Sequence, residues 1–137
     1  MSTRELKGKI DKLWVEFWTG GVTNPLTVIE QITFLMYARL LDMNETSDEK
    51  RAERSGKTFN RRFTDEQQHL RWQNFRHIES ADELLRVVRD ELFPFFKTTS
   101  GEGSLFAEFM KDAQLMIQKP ALLRKAIDMV NELPLSQ

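Results

Sequence analysis

The stretch from Asn24 to Met43 constrains the fold more than any other part of the chain. Asn24 can cap a helix through its side-chain oxygen, and Pro25 suits the first helical position, where its missing N–H costs nothing. Behind them Leu26, Val28, Ile29, Ile32, Phe34, Leu35, Met36, Leu40 and Leu41 point in nearly every direction around a helix, interrupted by Glu30, Gln31, Thr33 and Arg39. A helix of that kind has to be covered on most sides. The pattern therefore predicts a central core element from Pro25 to about Met43, with the rest of the chain wrapped around it.

The surrounding segments carry the stripes such a wrapping needs. Leu6, Ile10, Leu13, Trp14 and Phe17 recur at spacings of three and four, which predicts an amphipathic helix from about Thr3 to Trp18, ended by Gly20-Gly21. Residues 44–63 are polar and charged with hardly an apolar anchor, and predict a long mobile loop between the second and third helices. Thr64-Asp65-Glu66-Gln67 fits a capping box and opens a short helix to about Asn74, packed through Leu70, Trp72 and Phe75. A second box, Ser80-Ala81-Asp82-Glu83, opens a helix with Leu84, Leu85, Val88 and Leu92 inward, which Pro94 stops or kinks.

After a turn-rich stretch, Thr98 to Gly103, Ser104 is placed to cap a helix bearing Leu105, Phe106, Phe109, Met110 and Ala113 that fades around Gln118. Pro120 starts the last helix, with Leu122, Leu123, Ile127 and Val130 inward, as far as Pro134. No strand-like alternation is sustained anywhere. The expected class is all-α: one helical bundle of about six helices. A chain of 137 residues can bury roughly two-thirds of its unfolded surface in one core without metals or disulfides.

Composition removes several kinds of chemistry. There is no cysteine, so disulfides, thiolate nucleophiles, zinc fingers and iron–sulfur clusters are excluded. His69 and His77 stand eight residues apart with no carboxylate at ligand spacing between them, and no metal site is expected. The N-terminus is charged from the start, and no apolar run approaches the roughly 20 residues a membrane span needs, so a cytoplasmic protein with no membrane partner is expected.

Glycine-rich nucleotide loops need a preceding strand, and neither Gly20-Gly21 nor Gly101-Glu102-Gly103 has one; both fit helix caps and turns better. The acidic pairs Asp48-Glu49, Asp65-Glu66, Asp82-Glu83 and Asp90-Glu91 are adjacent residues that diverge on a helix, and none is singled out as an acid–base pair. No catalytic, cofactor-binding or metal residue is therefore assigned.

Charge is distributed unevenly. Residues 50–77 carry a net +5, while the segments before and after each carry −3. In this basic island Arg54, Lys57, Arg61, Arg62, Arg71 and Arg76 are interleaved with Phe59, Phe63, Trp72 and Phe75 and with several amides. Arginine forks suit phosphate oxygens, and these six residues are the candidates for contact with double-stranded DNA. A second reading stays open beside it: the aromatics anchor the core and the arginines pair with the acidic helices.

Three stretches together carry a resemblance. They are Leu13-Trp14-Val15-Glu16-Phe17-Trp18 leading into Gly20-Gly21-Val22-Thr23-Asn24-Pro25-Leu26, then Ile29 through Leu41-Asp42-Met43, and Phe109-Met110-Lys111-Asp112-Ala113 with Lys119-Pro120. The chain resembles the N-terminal helical domain of the modification subunits of type I restriction–modification systems, over essentially its whole length. The resemblance implies a parent subunit that transfers a methyl group from S-adenosylmethionine to adenine N6. It also implies partners: a specificity subunit, a restriction subunit and a second modification subunit.

In that family the cofactor loop and the Asn-Pro-Pro-Tyr/Phe motif follow the helical domain. Here Asn24-Pro25 continues as Leu26-Thr27, which fits a helix cap and not that motif. Residues 1–137 are thus expected to be the N-terminal domain without the catalytic domain, an excised domain or the product of a truncated gene. By itself it is expected to be inactive and to bind no cofactor, aiding DNA clamping and assembly; a pure protein-interaction domain is the alternative.

Overall fold

Ser2 opens the first helix, α1 (Thr3–Thr19), by accepting a hydrogen bond from the Glu5 N–H, and Gly20 closes it. The computed structural model describes residues 2–99 and 105–135. The predicted Ser104 cap and the Gly101–Gly103 turn lie outside the described residues, as do the side chains of Leu105 and Phe106. Asn24 caps α2 (Pro25–Ser55) by accepting from the Leu26 and Thr27 N–H groups, with Pro25 in the first turn as expected. A 3-10 turn, Asp65–Leu70, and the short α3 (Trp72–Phe75) follow.

α4 (Ala81–Val87) is capped by Ser80 and runs through one π-helical turn, Val88–Leu92, into α5 (Phe93–Phe96). Pro94 does not stop this helix. Its missing N–H would break an α-helical ladder, and the wider π turn directly before it takes up the mismatch. α6 (Leu105–Lys111) and α7 (Pro120–Asn131) complete the chain, and no strand occurs among the described residues. The all-α expectation holds.

α7 packs against α1, α2 and α4, and its Leu123, Ala126, Ile127 and Val130 are fully buried. The hub expected of α2 is therefore shared with α7. α2 contributes Val28, Ile32, Phe34, Leu35, Ala38 and Leu41 to the core, but Leu26 is 70% and Ile29 51% exposed, so its first turns are covered on one side only. Aromatic rings fill the space between α2 and α5: Phe93 meets Phe34 edge-on at 5.3 Å, and Phe96 meets Tyr37 at 5.3 Å.

Two boundaries differ from the sequence expectation. α2 continues twelve residues beyond Met43 to Ser55, where Gly56 ends it in the left-handed conformation (φ 71°). The long mobile loop expected over residues 44–63 is thus mostly helix. At the other end α6 stops at Lys111 rather than near Gln118. The Gln31 side chain explains this: its amide donates to the Gln114 carbonyl at 3.0 Å and its oxygen accepts from the Met116 N–H at 2.9 Å. The backbone from residue 113 to 119 is held against α2 in a non-helical path, and a buried amide makes both of its bonds there.

Candidate nucleic-acid interface

The second half of α2 replaces the usual apolar stripe with an acidic one. Asp42, Glu45, Asp48 and Glu49 lie at helical spacings that bring them to one face, and the segment Arg61–Gln73 packs across it. Glu45 is fully buried. Its carboxylate accepts from the backbone N–H groups of Arg62 (3.1 Å) and Phe63 (3.2 Å) and from the Arg62 guanidinium (3.2 Å), which also reaches Asp48 at 2.7 Å. Beneath this clasp Phe63 is buried and stacked on Phe95 at 4.9 Å.

Arg71 is held more deeply, with 3% of its surface exposed. Its Nε donates to Asp42 at 2.6 Å, one terminal nitrogen to Thr46 at 2.8 Å and the other to Glu49 at 3.1 Å. Asp42 accepts in addition from the Gln73 N–H at 2.8 Å. Burial pulls the Arg71 pKa down, but hydrogen bonds to Glu49 and Asp42 outweigh it and hold the guanidinium above its ordinary range. The same bond from Arg71 is the largest cause holding the Glu49 carboxyl below its ordinary value. Every donor is committed, so this arginine fastens the backbone and has nothing left to offer a phosphate.

The six basic candidates therefore separate. Arg62 and Arg71 are fixed by carboxylates of α2. Arg76 sits at the end of α3, where its carbonyl accepts from Arg124 at 3.1 Å. It also lies near Arg39, whose pKa is lowered by burial first and by the Arg76 charge second. Arg39 is fifteen residues before Arg54 on the same helix, roughly 22 Å at 1.5 Å per residue, so Arg76 stands apart from Arg54. Arg54 and Lys57 are exposed at the free end of α2, and Arg61 is half exposed beside them, its guanidinium 5.2 Å over the Phe59 ring and 3.4 Å from Glu49. Lys57, Phe59, Arg61, Glu49 and Glu53 line one open cleft there. Arg54, Lys57 and Arg61 are exposed at or just beyond the C-terminal end of α2, with Lys57 and Arg61 in one cleft, whereas Arg62 and Arg71 are engaged by α2 carboxylates and Arg76 lies at the end of α3. Sequence spacing held no sign of this division, because the pairing partners lie up to 29 residues away.

Other features bear on assembly. Val15, Trp18, Leu26, Ile29, Phe109 and Met116 are large apolar residues between 41% and 70% exposed. Among the described residues no three His, Asp or Glu side chains converge as a metal site would require, and no helix is long and apolar enough to cross a membrane. Gly20 is set against Leu122, where an added Cβ would come within 2.7 Å, and Gly21 turns the chain at φ 96°. Both serve the exit from α1 and follow a helix, not a strand.

The described residues form an all-helical module. The profile of the HsdM N-terminal domain matches residues 6–130. The chain belongs to that family: it is the N-terminal domain of a type I restriction–modification modification subunit, a component of a multisubunit system. Comparisons with curated proteins and with solved structures gave no match.

Proposed function

We propose that this domain is a non-catalytic module that helps its subunit close around double-stranded DNA while the catalytic domain methylates adenine N6 from S-adenosylmethionine. The observation that carries the reading is the exposure of Arg54, Lys57 and Arg61 at the end of α2, Arg61 with one contact to Glu49, while Arg62 and Arg71 are engaged by the α2 carboxylates Asp42, Glu45, Asp48 and Glu49. Cations presented in this way neutralise phosphates and release counterions, which gives weak, sequence-independent and salt-sensitive binding. Sequence reading belongs to the specificity subunit in this account.

Assembly is the second role, favoured by the exposed Trp18, Phe109 and Met116 and by Leu26 and Ile29. Aromatic and methionine side chains of this kind are enriched where subunits meet, and they suit contacts with the catalytic domain and with neighbouring specificity, restriction or modification subunits. Titration of a labelled duplex with the 137-residue chain at low salt tests the DNA role. Binding should appear and should weaken when Arg54, Lys57 and Arg61 are replaced by alanine. Absence of binding, or binding indifferent to these replacements, leaves the interaction-only reading.

A further inference from the structure

The second half of α2 segregates charge by face. At about 100° per residue, Asp42, Glu45, Asp48 and Glu49 occupy one arc, which the Arg61–Gln73 segment covers. Lys50, Arg51 and Arg54 occupy an arc on the opposite side, and no carboxylate of α2 falls within it. All three are exposed. Arg51 stays 71% exposed although its guanidinium lies 3.6 Å from Asp48, and among the described residues Lys50 and Arg54 enter no ion pair.

This separation has a physical consequence. Acids on the cation face would cancel the field there and repel a polyanion, whereas here Asp42, Glu45, Asp48 and Glu49 lie on the other arc, engaged chiefly by Arg62 and Arg71, and the exposed Glu53 falls outside the cation arc. Lys50 and Arg54 are one helical turn apart, about 6 Å, over which one DNA strand presents about two phosphates at 3.4 Å each along the axis. The backbone bearing them is already ordered as helix, so binding does not have to order it as it would a loop.

We infer that Lys50 and Arg51 join Arg54 as phosphate-contacting residues, and that the outer face of α2 lies along the DNA backbone. The inference rests on the DNA-binding reading above and adds to it two residues and an orientation: the clasped segment Arg62–Gln73 faces away from the duplex, with Lys57 and Arg61 at the edge of the bound strand.

The test is a salt series of duplex titrations with the 137-residue chain. The double variant Lys50→Ala/Arg51→Ala should bind more weakly and lower the slope of log affinity against log salt by up to about 2, near 0.9 for each phosphate that is no longer neutralised. A control of equal charge change elsewhere, Lys12→Ala/Lys97→Ala, should keep the wild-type slope; both of its positions are exposed. Circular dichroism checks that each variant keeps its helix content. If the Lys50/Arg51 variant keeps the wild-type slope while Lys57→Ala/Arg61→Ala reduces it, the inference fails and the DNA reading stands. Equal reductions in the Lys50/Arg51 variant and the control would mean a net-charge effect and also overturn the inference. No binding by the wild-type chain would overturn the underlying reading and this inference with it.

Discussion

Replacing Arg71 by alanine should be among the most damaging single changes in this domain. The side chain is 3% exposed and joins Asp42, Thr46, Glu49 and the backbone leading into α3. Its removal strands Asp42, 5% exposed, with the Gln73 N–H as its remaining donor, and opens a void beside Phe63, whose ring centre lies 6.0 Å from the guanidinium carbon. Removing one partner of a buried pair typically costs about 3–5 kcal/mol, because the other charge is left uncompensated. For a chain of this size that corresponds to a fall in melting temperature of roughly 10–20 °C. Urea and thermal unfolding followed by tryptophan fluorescence would measure it, with Trp72 next in sequence as a local reporter. Arg71→Lys keeps the charge but loses the fork, so it should fall between wild type and alanine. A fall of less than about 3 °C for Arg71→Ala, at unchanged cooperativity, would refute the view that this arginine holds the fold.

Two further outcomes follow from the same geometry. Glu49 is held below the ordinary glutamate value of 4.5 chiefly by its hydrogen bond from Arg71, so the folded chain binds fewer protons there than the unfolded chain. Its stabilising contribution is complete above the unfolded value and is lost as pH falls through the lower folded value. Acid unfolding curves should be shallower in that window for Glu49→Gln, and identical curves would contradict the assignment. Gly20→Ala places a Cβ 2.7 Å from a terminal methyl of Leu122, which can swing aside in part, and 3.2 Å from the Glu16 carbonyl oxygen, and should destabilise by about 1 kcal/mol, the low end of overpacking. Wild-type stability for that variant would mean that α1 does not end so tightly against α7.

Local signals were legible in the sequence, and partners distant along the chain were not. Asn24-Pro25, the Ser80 box and Gly20-Gly21 mark their helix ends correctly, since a cap involves only residues three or four apart. The second half of α2 was missed because it is secured by carboxylates, and their arginine partners come from 12 to 29 residues downstream. An apolar periodicity cannot register such a face. The end of α6 was missed for a related reason: the side chain that redirects the backbone, Gln31, lies 83 residues before the carbonyl it binds. In the basic island the sequence displayed eight cations without showing which were already paired.

The division of those cations is the centre of the account, and arginine-specific chemical modification read by mass spectrometry tests it most directly. In the folded chain Arg54 and Arg61 should react readily and Arg71 should not. Adding duplex DNA at low salt should protect Arg54 and Arg61 and leave Arg71 as unreactive as before. Ready modification of Arg71 in the folded chain, suppressed by DNA, would show that it serves the nucleic acid rather than the fold, and would contradict the account.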